Sequence, residues 1–219
     1  MKTKDKIIQA SIELFNLLGE RNVSTNHIAA HLNISPGNLY YHYRNKDDII
    51  RSIYTLYEQN LDQMFQPQHS ESVGMDEMMY YVDRVFYSMW RFRFFYANLT
   101  DILDRDKELH QRYLVAQKRL YHRIITSLAE IREQGYIDLD DDMLNDLAQT
   151  LKLVVTFWIS YQQTQSEEEI TQATISAGVL KVICIFKGHI SDKGRTHLNE
   201  IEQNYRELMN SDDISPTLD

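Results

Sequence analysis

Residues 106–134 constrain the chain more than any other stretch. Leu109, Tyr113, Ala116, Leu120, Ile124, Leu128 and Ile131 recur there every three or four residues, with no glycine or proline before Gly135. That spacing draws one apolar stripe along an α-helix; a strand, with its period of two, would scatter it over both faces. The same rhythm runs through Ile7, Ala10, Ser11, Leu14, Phe15 and Leu18, and again through Ile49, Ile50, Ile53, Leu56, Tyr57 and Leu61. It continues over residues 75–90, with an expected bend near Arg93, and over 141–161 through Leu144, Leu147, Leu151, Val154 and Trp158. Residues 168–186 are apolar nearly all round, and a last amphipathic helix follows. Seven glycines and three prolines in 219 residues are too few for a turn-rich sheet protein. The expected fold is all-α, with about nine or ten helices. The polar stretch 66–74 reads as a loop and 211–219 as a flexible tail.

Near the N-terminus the helices shorten. Gly19 stops the first, and Val23-Ser24-Thr25 starts a second that holds Ile28, Ala29 and Leu32. Asn33 sits in the next turn, where its tolerance of left-handed backbone is useful. Ser35 caps a third helix, with Pro36 at the first helical position, where a missing N–H costs nothing. At 100° per residue Leu39 and Tyr43 face inward, while Gly37, Asn38, Tyr40 and Tyr41 face outward. Two tyrosines and an asparagine beside a glycine make a poor solvent surface. Their hydroxyls and amide suit base edges or phosphate oxygens. Two short helices behind a longer one form a helix-turn-helix, and Thr25 and Lys46 are within reach of phosphates.

The stretch 24–50, STNHIAAHLNISPGNLYYHYRNKDDII, resembles the signature of the TetR family of bacterial transcriptional regulators. The matching positions are Thr25, Ile28, Ala29, Ile34, Ser35, Leu39, Tyr40, His42, Tyr43 and Lys46; Asn33 stands where glycine is usual. The wording is also similar, more narrowly, to regulators of polyhydroxyalkanoate synthesis of the PhaD type. The resemblance implies that Asn26, Pro36, Gly37, Asn38 and Tyr40 lie near base edges, and that Thr25, Tyr41, His42 and Lys46 contact phosphates. Ser35 completes that DNA-binding set. It further implies a homodimer on a double-stranded, palindromic DNA operator, a repressor's role and an effector pocket in the C-terminal body. The expected organisation is a DNA-binding domain over 1–48, an effector-binding and dimerisation domain over 49–210, and the tail.

Residues 80–96 carry nine aromatics. Most read as core, but so dense a cluster of flat rings also walls a cavity. The candidate ligand-binding residues are Phe86, Tyr87, Trp90, Arg93, Phe94, Tyr113, Phe157, Trp158 and Tyr161. Arg91 or Arg93 reads either as a surface arginine or as the anchor for an acidic group, which a fatty acid or acyl-CoA effector would carry. The apolar helix over 168–186 and its neighbour over 141–161 suggest a four-helix bundle across a two-fold axis. Leu144, Leu147, Leu151, Ala173, Ala177, Val179 and Val182 are the candidate interface, with Gly178 allowing close approach. A central helix buried within a monomer is the other reading.

Net charge is −9, unevenly spread. Residues 1–51 hold seven Lys/Arg against five Asp/Glu, about +2, and the remainder sixteen against twenty-seven, about −11. A slightly basic head on an acidic body keeps nucleic acid in play. No secretory leader or membrane span is expected, and Cys184 alone forms no internal disulfide, which suits a reducing cytoplasm. Cys184 reads as core, and the acidic runs 140–142 and 167–169 as helix caps. His27 and His31 have zinc-compatible spacing but no evident third ligand. No cofactor or catalytic motif is legible, so an enzyme is not expected. The rival to a regulator is a helical small-molecule-binding or protein-interaction module without operator binding.

Overall fold

The computed structural model describes residues 2–64 and 74–210. The expected tail, and the expected loop apart from Gly74, lie outside the described residues. Among the latter, eleven α-helices follow in order. These are α1 (Thr3–Leu18), α2 (Thr25–His31), α3 (Pro36–His42), α4 (Lys46–Met64), α5 (Met75–Arg91) and α6 (Arg93–Ala97). Then come α7 (Leu99–Arg105), α8 (Lys107–Glu133), α9 (Asp141–Gln165), α10 (Gln172–Lys187) and α11 (Asp192–Asn210). The chain is all-α, as the periodicity requires; an isolated antiparallel bridge joins Ile137 to Ile190.

The head follows from local chemistry. Gly19, at φ 81°, ends α1, and a 3-10 turn over Glu20–Asn22 leads to Ser24, whose hydroxyl accepts from the His27 N–H. Asn33 takes the left-handed conformation at φ 53°, and Ser35 Oγ accepts from the Asn38 N–H at 3.2 Å. Ile7, Phe15, Ile28, Ala29, Leu39 and Tyr43 are buried together. Leu18 departs from its expected place on the core face: at the frayed end of α1 it is exposed.

The helix α4 passes without a break from head to body, so the expected boundary at 48/49 falls inside a continuous helix. Two breaks raise the helix count; the first falls at the bend expected near Arg93, and the second is new. At Phe92 and Asn98 the backbone leaves helical geometry, giving α5, α6 and α7 where one bent helix was expected. Neither break holds a glycine or proline. The side chain of Asn16, on α1, stabilises the first: its Nδ2 donates to the Arg91 carbonyl at 2.8 Å, and its Oδ1 accepts from the Phe94 N–H at 3.0 Å. Those are a terminal carbonyl of α5 and an early amide of α6, groups that a helix end leaves unpaired.

Helices α9 and α10 form an antiparallel hairpin against α5, α8 and α11. Asp140 caps α9, its Oδ1 accepting from the Met143 N–H at 2.8 Å. The run 167–169 does not cap α10: that helix starts later, and Thr171 caps it through the Thr174 N–H at 3.2 Å. A Cβ added to Gly178 would lie 2.6 Å from a Phe86 ring atom and 2.9 Å from two atoms of the Trp158 indole. The bare glycine therefore lets α10 sit directly on both rings.

The expectation that α10 is apolar all round is corrected. Lys181, Cys184 and Lys187 are exposed, and Cys184 is a surface thiol rather than a core residue. The candidate interface changes with it. Leu144, Leu147, Leu151, Val179 and Val182 are buried inside the single chain, so they are not available to a partner; Ala173 and Ala177 are half-buried. No helix among the described residues is long and apolar enough to cross a membrane.

Candidate DNA-reading face and ligand cavity

The α3 helix turns Leu39 and Tyr43 into the head's core, which leaves the opposite side chains without a packing partner. Tyr41 is 85% exposed and Tyr40 48%. Thr25, at the start of α2, and Tyr40 share a hydrogen bond at 3.0 Å between their hydroxyls. That bond ties the two helices at the open face and fixes the phenol. Asn26, Ser35, Pro36, Gly37 and Asn38 are all exposed around it, and His42 packs edge-on against Tyr41, centroids 5.1 Å apart. No heavy atom lies closer than 3.9 Å to a Cβ placed on Gly37, so the glycine leaves open space in front of the helix. A cleft lined by Asn22, Thr25, Tyr40, Arg44 and Lys46 continues this face. His31 faces Glu13 at 4.0 Å, and the described residues hold no cluster of three metal-binding side chains.

The basic residues beside the face are already engaged. The Lys46 ammonium lies 3.0 Å from Oε1 of Glu20 as an ion pair, and directs its hydrogen bond to the Glu20 carbonyl at 2.9 Å. Glu20 is fully buried and its other oxygen holds Arg105 of α7 at 3.1 Å. Arg44 donates to Asp48 at 2.9 Å, and Arg51 to Asp106 at 2.6 Å. Burial by itself would raise the Asp106 carboxyl; the Arg51 guanidinium and the Leu109 N–H outweigh it and hold the group below the usual carboxylate range. The Arg105–Glu20 and Arg51–Asp106 pairs, with Asn16, join head to body.

Inside the body, α4, α5, α6, α8, α9 and α10 enclose an apolar cavity of about 100 Å³. This is the scale on which a cavity admits a small organic molecule. Leu61, Val85, Phe86, Leu120, Ile124, Val155 and Phe186 supply most of the wall. Its few polar groups are Tyr57, Tyr81, Tyr96, Gln117, Ser127, Lys152 and Thr156. The hydroxyls of Tyr57 and Tyr96 bond each other at 2.8 Å, and burial pushes both phenols up, so both remain neutral hydrogen-bonding groups.

Of the expected ligand residues, the cavity brings in only Phe86. Tyr113 packs on Phe95 at 6.4 Å between centroids, and burial pushes its phenol up to about 12. Trp158 is buried, its Nε1–H donating to the Thr174 carbonyl at 2.8 Å. Arg93 lies 4.0 Å over the Trp90 ring and, with Phe94, borders a separate cleft between α1 and α9. Arg91 lies over Phe92 at 5.3 Å. Tyr87 is half-buried away from the cavity. Phe157 and Tyr161 face outward, 42% and 53% exposed, in line with Leu153 at 60%. Sequence reasoning missed Tyr57, Tyr96, Gln117 and Lys152. Only Lys152 carried a signal, as a lone cation inside the apolar run TLKLVVTFW.

Two family profiles cover most of the chain. One described as "Bacterial regulatory proteins, tetR family" matches residues 7–53, and one described as "Bacterial transcriptional repressor" matches residues 56–198. No curated protein matches. Among solved structures, the chain is similar to a TetR-family transcriptional regulator from Marinobacter aquaeolei VT8, with 35% identity and a TM-score of 0.85 over 94% of this chain and 99% of that one. The ketosteroid transcriptional regulator KstR2 of Mycobacterium tuberculosis shares the fold, with 12% identity and a TM-score of 0.65 over 87% and 96% of the two chains. So does SmeT in complex with triclosan, with 16% identity and a TM-score of 0.57 over 87% and 92%.

Proposed function

Because the chain belongs to the TetR family of bacterial transcriptional regulators, we propose that it is a cytoplasmic repressor that binds a palindromic operator as a homodimer and releases it on binding a small apolar effector. The family binds DNA through its helix-turn-helix head and responds to small molecules through its body. One observation carries the DNA reading: α3 exposes Tyr40 and Tyr41 on a face kept open by Gly37, with Tyr40 fixed by Thr25. Gly37, Asn38 and Tyr40 are the candidate base readers. Thr25, Tyr41 and His42 are the candidate phosphate contacts.

A single α3 reads few base pairs, so useful specificity needs two heads about one helical turn apart. The outward faces of α9 and α10 support a two-fold contact. Leu153, Phe157 and Tyr161 recur every four residues on α9, and Ala173, Ala177, Leu180 and Cys184 fall on one side of α10. Pairing these faces in two copies gives the four-helix bundle, built on the sides of the helices opposite to those buried within the chain. The effector occupies the cavity, where a fatty acid or the acyl part of a thioester suits the apolar wall. Filling it displaces α5, α9 and α10, and Asn16 and the Glu20 ion pairs carry that displacement to the head.

Mobility-shift titration of DNA flanking the coding sequence tests this reading. The expected result is a sequence-selective complex that Tyr40→Ala weakens without changing dimer mass or folding. Absence of any selective complex at low and high salt refutes it.

A further inference from the structure

The cavity wall holds a cation, Lys152, to which no described residue supplies a counter-charge. Lys152 projects from α9 into the wall, and among the described residues no carboxylate lies within ion-pair distance of it. Its ammonium makes one long hydrogen bond, 3.4 Å to the Gln117 main-chain carbonyl, and lies 5.7 Å from the centre of the Tyr121 ring. An ammonium has three donors, so this lysine keeps directed donors to spare. Burial draws its pKa below the ordinary lysine value, with no compensating acid to bring it back. A second group at the same wall is unfinished. The Gln117 side-chain Oε1 is buried and has no hydrogen-bond partner. Native interiors leave few such atoms, and those that remain call for an explanation such as an absent ligand.

Resting on the reading of this cavity as the effector site, we propose that its natural ligand is an apolar acid whose anionic head group pairs with Lys152 beside Gln117, while its hydrocarbon part fills the space under Phe86, Leu120 and Phe186. The chemistry is one-sided. A neutral hydrocarbon fills the cavity but leaves the half-buried ammonium without a counter-charge, and an amine adds a second cation next to it. A carboxylate supplies the missing charge at a site partly shielded from water, where a charge-assisted hydrogen bond is stronger than in bulk solvent. Arg93, stacked on Trp90 and bordering a different cleft, is not the anchor.

The test compares sodium octanoate with octanol on the full-length protein by calorimetric titration, in the native chain and in Lys152→Met. The methionine keeps the length and packing of the side chain and removes its charge, so the variant is expected to fold with an unchanged or higher melting temperature. The expected result is that octanoate binds the native protein about tenfold or more tighter than octanol, and that Lys152→Met abolishes the difference while octanol affinity stays within about twofold. Equal binding of the two probes to the native protein, or octanoate affinity unchanged in Lys152→Met, overturns the inference and leaves the cavity standing as an apolar site. Binding of neither probe overturns the cavity reading itself, and the inference with it.

Discussion

Replacing Gly178 with alanine sets two effects of known size against each other. Alanine favours a helix interior over glycine by about 1 kcal/mol, so propensity alone stabilises α10. Against it stands the new methyl, 2.6 Å from Phe86 and 2.9 Å from two atoms of Trp158. Neither neighbour is a flexible tip. Both rings are buried, and the Trp158 indole is tied to the Thr174 carbonyl at 2.8 Å, one turn before Gly178 on the same helix. Overpacking of this kind costs about 1–3 kcal/mol, and loosening the indole's hydrogen bond adds about 1 kcal/mol. The clash outweighs the propensity, leaving a net loss of about 1–3 kcal/mol. In a chain of this length that lowers Tm by about 2–12 °C. Thermal melts followed by circular dichroism at one fixed protein concentration measure it, since Tm of an oligomer depends on concentration. Gly37→Ala is the control: its Cβ meets nothing closer than 3.9 Å, so Tm holds or rises slightly, while DNA affinity falls because the methyl fills the approach to the groove. A Gly178→Ala variant that melts higher than the native protein refutes the claim that close contact at this glycine sets the α9–α10 spacing.

Asn16→Ala strands the Phe94 N–H and the Arg91 carbonyl, costing about 1–3 kcal/mol. It is also expected to reduce the effect of ligand on DNA affinity while leaving ligand affinity itself unchanged, which paired titrations with and without DNA detect. Phe157→Glu places a charge in the outward stripe of α9 and is expected to halve the mass seen by sedimentation equilibrium; a variant that stays dimeric excludes this face. Asp106 titrates below its unfolded value, so its contribution is complete above about pH 4 and disappears as pH falls through the folded pKa. Asp106→Asn should therefore lower the urea midpoint at neutral pH by the equivalent of about 1–3 kcal/mol and lose less stability than the native chain on acidification.

The head was legible because each of its residues acts locally. Ser24 and Ser35 cap, Pro36 starts a helix, Asn33 makes a left-handed turn, and a period of 3.6 separates Leu39 and Tyr43 from Tyr40 and Tyr41. The body resisted for two physical reasons. Helices α9 and α10 are apolar over most of their circumference, so periodicity does not say which side faces the chain and which faces outward. Leu144 and Val179, expected at the interface, are buried within the chain, and Phe157 and Tyr161, expected at the cavity, are exposed on its surface. The cavity is assembled from six helices at large sequence separations, and no spacing rule reaches that far. The break at Phe92 falls at the bend expected near Arg93, where Asn16 stabilises it from α1; the break at Asn98 was not expected.

The ion pairs of the head's basic residues change how it must approach DNA. Lys46, Arg44 and Arg51 each hold a carboxylate within their own chain, so each must exchange one anion for another to touch a phosphate. Such an exchange releases few counterions, and each phosphate not newly neutralised removes about 0.9 from the slope of log K against log salt. On the proposed reading, affinity comes from neutral donors: the hydroxyls of Thr25, Tyr40 and Tyr41 and the Asn38 side-chain amide. These fade little with ionic strength. The long-range field does a different task. With about +2 on the head and −11 on the rest, the molecule is an electric dipole, and near a duplex it turns head first before any side chain makes contact.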